Sequence, residues 1–285
     1  MRILTFTAPE SGEIEWGIQS RDRVYSMTSI APTVDDFIRM GKQALERSRE
    51  LTGSARAPEH AMSEIQVRAP VQHPSKVVAI GQNYMDHCRE CNVPAPTRPV
   101  VFAKFPSSVI GPFDEIRWRT DLTTEVDWEV ELGVVIGRTA RRVSQEDALD
   151  YVFGYTVAND VSARDIQGGD GQWVRGKSLD TFCPIGPVIV TTDEIPDPQN
   201  LGIRSWVNGQ IMQDSNTREM IFDVRYLIEF LSQAFTLNPG DVIVTGTPHG
   251  VGVGRDPQIF LADGDVVEVE IDDIGRMSNP CRVLD

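Results

Sequence analysis

Cysteine and histidine are scarce in this sequence, four of each among 285 residues. Cys88, Cys91, Cys183 and Cys281 are too few and too scattered for a disulfide framework, so a reducing compartment is expected. Long apolar runs are missing too. No stretch approaches the roughly 20 residues that cross a bilayer, and residues 1–10 read as a short strand rather than the apolar part of a signal peptide. A soluble, cytoplasmic protein without membrane contact is expected. Positive charge is in deficit, with 27 Lys and Arg against 42 Asp and Glu and a formal charge of −15. That field repels phosphate backbones and anionic lipid, which argues against nucleic acid as a partner. An anionic substrate needs a local cationic cluster and a metal ion to draw it in.

Carboxylates, by contrast, are abundant and patterned. In Asp127-Trp128-Glu129-Val130-Glu131, alternate residues of an extended strand point to one side, so Glu129 and Glu131 share a face with Asp127. Trp128, Val130, Leu132, Val134 and Ile136 fill the other face. Like charges stacked this way raise one another's pKa and cost stability unless water or a cation compensates. Asp160, just after the apolar run Tyr151 to Ala158, brings a third carboxylate from a neighbouring strand. Oxygen-only ligands suit Mg2+ or Mn2+, with Ca2+ able to take their place in crystals, and the lack of nearby Cys or His argues against zinc. A solvated acidic edge strand is the alternative; the apolar continuation Gly133 to Ile136 reads instead as a central strand.

Residues 1–66 read as a small α+β piece: strands at Ile3 to Phe6, Glu15 to Ile18 and Arg23 to Ser26, then a helix from Thr33, its cap, to Leu51. Ser54 to His60 reads as a connector. Residues 67–285 form the second unit, where strands dominate: Lys76 to Ile80, Val100 to Lys104, Trp128 to Ile136, Phe153 to Ala158, Val188 to Thr191, Ile203 to Val207, Asp241 to Thr245 and Val266 to Ile271. Helices are expected near Met85 to Cys91, at Ser144 to Tyr151 with Ser144 and Asp147 as a capping box, and at Val224 to Phe235. The class is α+β, built on a large mixed sheet or roll.

Three further segments carry chemistry. Gly81 to Cys91 follows an apolar strand, and His87 and Glu90, three apart, share a face if the segment is helical. A carboxylate on an imidazole fixes its tautomer and raises its basicity, as a general base requires, although a surface ion pair has the same spacing. Cys88-x-x-Cys91 reads as two ordinary thiols, since no second such pair accompanies it. Asp165 to Ser178 reads as a mobile Gly-rich loop ending near Lys177, which either faces solvent or steadies an oxyanion; Arg164 could fork onto a substrate carboxylate. Pro239 to Gly254 is not a dinucleotide fingerprint, because Arg255-Asp256-Pro257 prevents the required helix. It is either a tight turn or a backbone nest that, with the Thr247 hydroxyl, holds a carboxylate.

The ordered segments GQNYMDHCRE, FAKFPSSVIGP, EVDWEVELGVVIG, GYTVANDVSARD, GKSLDTFCPIGP and PGDVIVTGTPHGVG resemble the fumarylacetoacetate hydrolase family over about residues 70–280. The resemblance implies a mixed β-roll catalytic domain with a variable α+β N-terminal appendage, and a homodimer. It implies Glu129, Glu131 and Asp160 as ligands of Mg2+ or Mn2+, and His87 with Glu90 as a base dyad on a lid. Lys177 would be catalytic, with Tyr84, Arg164, Gln167 and Thr247 binding a small 2-oxo acid. Arg117-Trp118-Arg119 departs from the apolar strand end of many relatives. The activity this leads to is hydrolysis of a C–C bond in an acylpyruvate or 2,4-diketo acid. Isomerisation of a 2-hydroxyhepta-2,4-diene-1,7-dioate type substrate or decarboxylation of oxaloacetate are the alternatives on the same scaffold, and a non-catalytic metal- or ligand-binding protein is the alternative of another class.

Overall fold

Val130–Ile136 is buried along its whole length because Val152–Asn159 flanks it on one side and Val242–Val244 on the other, both antiparallel. A strand enclosed in this way has no solvated face, which is why its sequence is almost uninterrupted in apolar residues. The computed structural model in which this is seen describes residues 1–52, 54 and 56–284; Ala55, inside the expected connector, lies outside them.

The strand belongs to a 12-stranded mixed sheet whose order runs Glu59–Ala61, Arg23–Ser26, Ile14–Ser20, Arg2–Thr7, Cys183–Thr191, Val152–Asn159, Val130–Ile136, Val242–Val244, Val77–Gly81, Val100–Lys104. Val242–Val244 and Val77–Gly81 pair in parallel, which brings the loops that follow both strands to the same edge. Arg2–Thr7 pairs with Cys183–Thr191 and with Gln66–Arg68, so the first 66 residues add their strands directly to this sheet. A five-stranded sheet built on Gly202–Val207, Val266–Ile271 and Gly275–Leu284 packs against it. Ile116–Arg119 forms an edge of that smaller sheet, with Trp118 buried and Arg117 and Arg119 exposed. The mixed α+β, sheet-dominated class is the one expected.

Several elements differ from expectation, each for a local reason. The helix expected from Thr33 to Leu51 is two, Val34–Met40 and Lys42–Leu51, because Gly41 takes φ 69° between them. Thr33 does cap the first, accepting from Asp36 N at 3.1 Å. Ser144 Oγ donates to Asp147 Oδ2 at 2.8 Å and accepts from Asp147 N at 3.3 Å, half of the expected capping box, and only a 3-10 turn, Ala148–Tyr151, follows. The strand expected at Trp128 to Ile136 begins at Val130; Asp127 belongs to a separate two-residue strand, Val126–Asp127, paired with Ser162–Ala163. The expected mobile loop of residues 165–178 is instead largely helical, as Arg164–Asp170 and Val174–Lys177.

Candidate active site

Glu131 points inward from the central strand, Glu129 precedes that strand, and Asp160 follows Val152–Asn159 next to it. The backbone joins the last two, Asp160 N donating to Glu129 O at 2.9 Å. One carboxylate oxygen from each of Glu129, Glu131 and Asp160 lies within 4.8 Å of the others, and all three side chains are buried. Three converging acids in a low-dielectric interior must either be answered by cations or give up charge by taking a proton.

Lys177 Nζ bridges Glu129 Oε2 at 2.7 Å and Asp160 Oδ2 at 2.8 Å. Lys104 Nζ takes Asp160 Oδ1 at 2.5 Å, and also donates to the carbonyls of Val161 at 3.2 Å and Lys177. Arg164 Nη2 lies 2.7 Å from both Glu129 Oε1 and Asp127 Oδ2, as ion pairs rather than aligned hydrogen bonds. Burial raises the Glu129 carboxyl, but Lys177 and Arg164 overcome it and hold the group at about 2. Burial likewise works against the Lys177 ammonium, and Asp160 and Glu129 reverse it, so its pKa is raised.

Glu131 is the exception. Its Oε2 accepts from Gly246 N at 2.7 Å, but among the described residues no lysine or arginine pairs with it directly. Burial, then Asp160, then Glu129 push its pKa well above 4.5. Lys104, Lys177 and Arg164 balance Asp127, Glu129 and Asp160, so one ionised Glu131 is one negative charge too many. An oxygen-only donor set with that surplus fits a hard divalent cation, Mg2+ or Mn2+.

The proton-transfer candidates stand beside this cluster. His87 and Glu90 lie on the short helix Met85–Glu90, with His87 Nδ1 3.0 Å from Glu90 Oε2. Burial opposes charge on the imidazole, but Cys91 and Glu90 outweigh it, with Glu129 adding to them, and the pKa rises to about 10. Asp86 anchors the helix to Ser215 Oγ at 2.5 Å, and Gly250 N holds Glu90 Oε1 at 2.8 Å. A cavity of about 660 Å³ beside Lys42, Arg49 and Arg138 includes none of these residues.

The segment after Val242–Val244 is the nest that the glycines foreshadow, but it holds the protein's own carboxylates. Gly246 N binds Glu131, Gly250 N binds Glu90, and Gly252 N and Val253 N bind Asp127 at 2.7 and 3.1 Å. A Cβ on Gly246 would stand 2.8 Å from Asn83 Cβ, and φ there is +97°, so only glycine fits.

The other expected substrate-binding residues are committed within the fold. The Arg164 guanidinium faces Asp127, Glu129 and, through Nη1 at 3.0 Å, Gln167 Oε1. Thr247 Oγ1 donates to Val130 O at 3.0 Å and accepts from Gln213 Nε2 at 2.8 Å. Tyr84 is wholly buried with its hydroxyl unpartnered among the described residues; burial, Glu131 and Asp86 all raise its pKa. Two residues given no role from sequence belong to the site. Lys104 lay inside the quoted FAKFP segment, where a lysine flanked by Phe102 and Phe105 was its only signal. Gln213, which ties Val130 N, Ser205, Thr247 and Pro248 together, gave none.

Comparison with known proteins identifies the family. The model of the fumarylacetoacetate (FAA) hydrolase C-terminal domain matches residues 76–282. The mitochondrial oxaloacetate tautomerase fahd2 of Xenopus laevis is 46% identical over 98% of this chain and 90% of its own length. The solved fumarylacetoacetate hydrolase of Exiguobacterium antarcticum is 38% identical, with a TM-score of 0.88 over 100% of both chains. A maleylpyruvate hydrolase from Sphingobium sp. SYK-6, solved with manganese(II) and pyruvate, is 29% identical, with a TM-score of 0.85 over 100% of both. No helix among the described residues is long and apolar enough to cross a membrane. The Xenopus relative is named as mitochondrial, whereas the oxaloacetate tautomerase YisK, 40% identical over 92% of this chain and 90% of its own length, is from Bacillus subtilis, so the relatives share no one compartment. Matched by the family model over most of its length and by full-length relatives, the chain is an enzyme-type member of the fumarylacetoacetate hydrolase family.

Proposed function

We propose that the protein is a Mg2+- or Mn2+-dependent tautomerase that interconverts the enol and keto forms of oxaloacetate. This isomerase reading replaces C–C hydrolysis as the leading one, because the tautomerase resemblance extends over 98% of the chain at 46% identity. The geometry that supports it is the His87–Glu90 pair: Glu90 Oε2 lies 3.0 Å from His87 Nδ1 and is itself fixed by Gly250 N, an arrangement that favours a charged ring able to donate a proton, whereas activating water for hydrolysis needs the neutral ring.

Converting enol to keto breaks the O–H bond at C2 and forms a C–H bond at C3, with no water consumed. In the proposed reaction the charged His87 ring gives its proton to C3 while the O2–H proton leaves to solvent, which then reprotonates the ring; in the reverse direction the neutral ring removes the C3 proton and O2 takes one from solvent. Glu90, fixed by Gly250 N, keeps the ring oriented through both. Lys177, already between the carboxylates of Glu129 and Asp160, would steady negative charge on the oxygen that loses its proton. Glu129, Glu131 and Asp160 would hold the ion. When bound, it supplies Lewis acidity that stabilises negative charge on the 2-oxo acid.

The test follows enol absorbance after mixing enol oxaloacetate with metal-loaded protein, with pyruvate assayed in parallel. Tautomerisation accelerates the approach to equilibrium, yields no pyruvate and is lost with chelator. Pyruvate released in proportion to substrate consumed, from oxaloacetate or from an acylpyruvate panel, would overturn it in favour of decarboxylation or hydrolysis.

A further inference from the structure

We propose that His87, Glu90 and Cys91 form a second metal site that takes a borderline divalent ion such as Zn2+ from solvent and thereby stops turnover. The inhibitory consequence rests on the proton-transfer role given to His87 and Glu90 above; the site itself does not.

The three residues fall at i, i+3 and i+4 on the helix Met85–Glu90 and its C-terminal cap, so they project from one face. One donor atom from each lies within 4.8 Å of the others. His87 Nδ1 is 3.0 Å from Glu90 Oε2, and Cys91 Sγ is 3.9 Å from both ring nitrogens. Tetrahedral zinc, at its usual bond lengths, sets N···O at about 3.4 Å and N···S at about 3.6 Å. The N···O and N···S separations here are within about half an ångström of those values; Cys91 Sγ, equidistant from both ring nitrogens, has to turn towards Nδ1 to complete the set, on a side chain at the end of a six-residue helix.

Access differs from that of the three buried carboxylates. Side-chain exposure is 13% for His87 and 18% for Glu90, and Cys91 is exposed, so an ion can enter from solvent and keep water in its fourth position. Donor chemistry separates the two sites as well. Oxygen alone selects Mg2+ or Mn2+, whereas nitrogen, oxygen and sulfur together select zinc. Cys88 takes no part: it is buried and directed to Gln82 O at 3.6 Å. The pattern that matters is therefore H-x-x-E-C rather than C-x-x-C. Zinc would engage the ring nitrogen that faces Glu90 and the carboxylate oxygen that holds it, dividing the pair.

The experiment uses the whole protein saturated with Mg2+, and a Cys91→Ala variant prepared in the same way. Added Co2+ should produce a near-ultraviolet thiolate-to-cobalt band in the wild type and none in the variant. Against each protein's own zinc-free rate, half-inhibition of Cys91→Ala should need at least about tenfold more Zn2+, the lower end of what losing even an outer partner of a metal ligand costs. No band in the wild type, or the same band in the variant, overturns the site. A cysteine-dependent band with undiminished turnover leaves the site standing and removes the role proposed for His87 and Glu90. Equal zinc sensitivity that fades as Mg2+ is raised assigns the inhibition to the carboxylate cluster and overturns the inhibitory role of the second site.

Discussion

Replacing Glu131 with glutamine should abolish metal-linked stabilisation while leaving the metal-free protein folded. Glu131 is buried, accepts from Gly246 N, and is the member of its cluster that no lysine or arginine neutralises. An amide of nearly the same shape keeps the Gly246 contact and removes the surplus charge. A ligand at 100 times its Kd stabilises by about 2.7 kcal/mol, and a chain of this size gains roughly 2–4 °C per kcal/mol, so Mg2+ or Mn2+ should raise the wild-type Tm by about 5–11 °C. Chelator-treated protein titrated with metal in a thermal-shift assay should show this rise, and Glu131→Gln should show less than about 2 °C. The pH dependence has a definite sign. Because the folded pKa of Glu131 lies well above 4.5, its unfolded form ionises first, and metal-free stability drains away as pH climbs from the ordinary carboxyl value towards the raised one. The glutamine variant should lack that decline. An equal metal-induced rise in both proteins, or none in the wild type, would refute the reasoning.

Lys104→Met strips Asp160 of a buried cation at 2.5 Å and should cost about 3–5 kcal/mol, read as a lower denaturant midpoint at unchanged m-value; a loss below about 1 kcal/mol contradicts that role. Gly254→Ala would place a Cβ 2.7 Å from Glu90 Cδ, displacing the carboxylate, so turnover should fall roughly tenfold or more while the metal-induced Tm rise persists. Glu90→Gln should lower kcat by roughly 10²–10⁴ and spare metal binding; unimpaired turnover would remove Glu90 from the reaction. The stability that His87 contributes is fully present below 6.5 and lost as pH rises through about 10. A His87→Gln variant compared in alkaline denaturation should therefore lack this decline.

Periodicity carried far in this chain where one physical signal dominated. Val100–Lys104 and Val266–Ile271 have the expected bounds because turn residues flank clear apolar patterns. The close approach of Glu129, Glu131 and Asp160 was legible because a two-residue spacing and an adjacent strand leave few other arrangements. What failed were competitions settled at a distance. Asp127 shares the alternation of Glu129 and Glu131, yet Arg164 and the amides of Gly252 and Val253 draw it into a different strand. Residues 165–178 have the glycine content of a loop, but Gly176 lies under the backbone of Gln167, so two short helices pack where larger residues could not. Nor does any local pattern mark Lys104 as the partner of Asp160, 56 positions away. The nest of glycines was visible as a nest; that its occupants are Glu131, Glu90 and Asp127 depended on three other segments.

Anomalous diffraction from crystals of the protein soaked in Mn2+ tests most directly whether Glu129, Glu131 and Asp160 hold one divalent cation. The prediction is a single strong manganese peak bonded to an oxygen of each carboxylate, with Lys177 moved off at least one of them. A map with no peak there, and Lys177 still bridging Glu129 and Asp160, would contradict it.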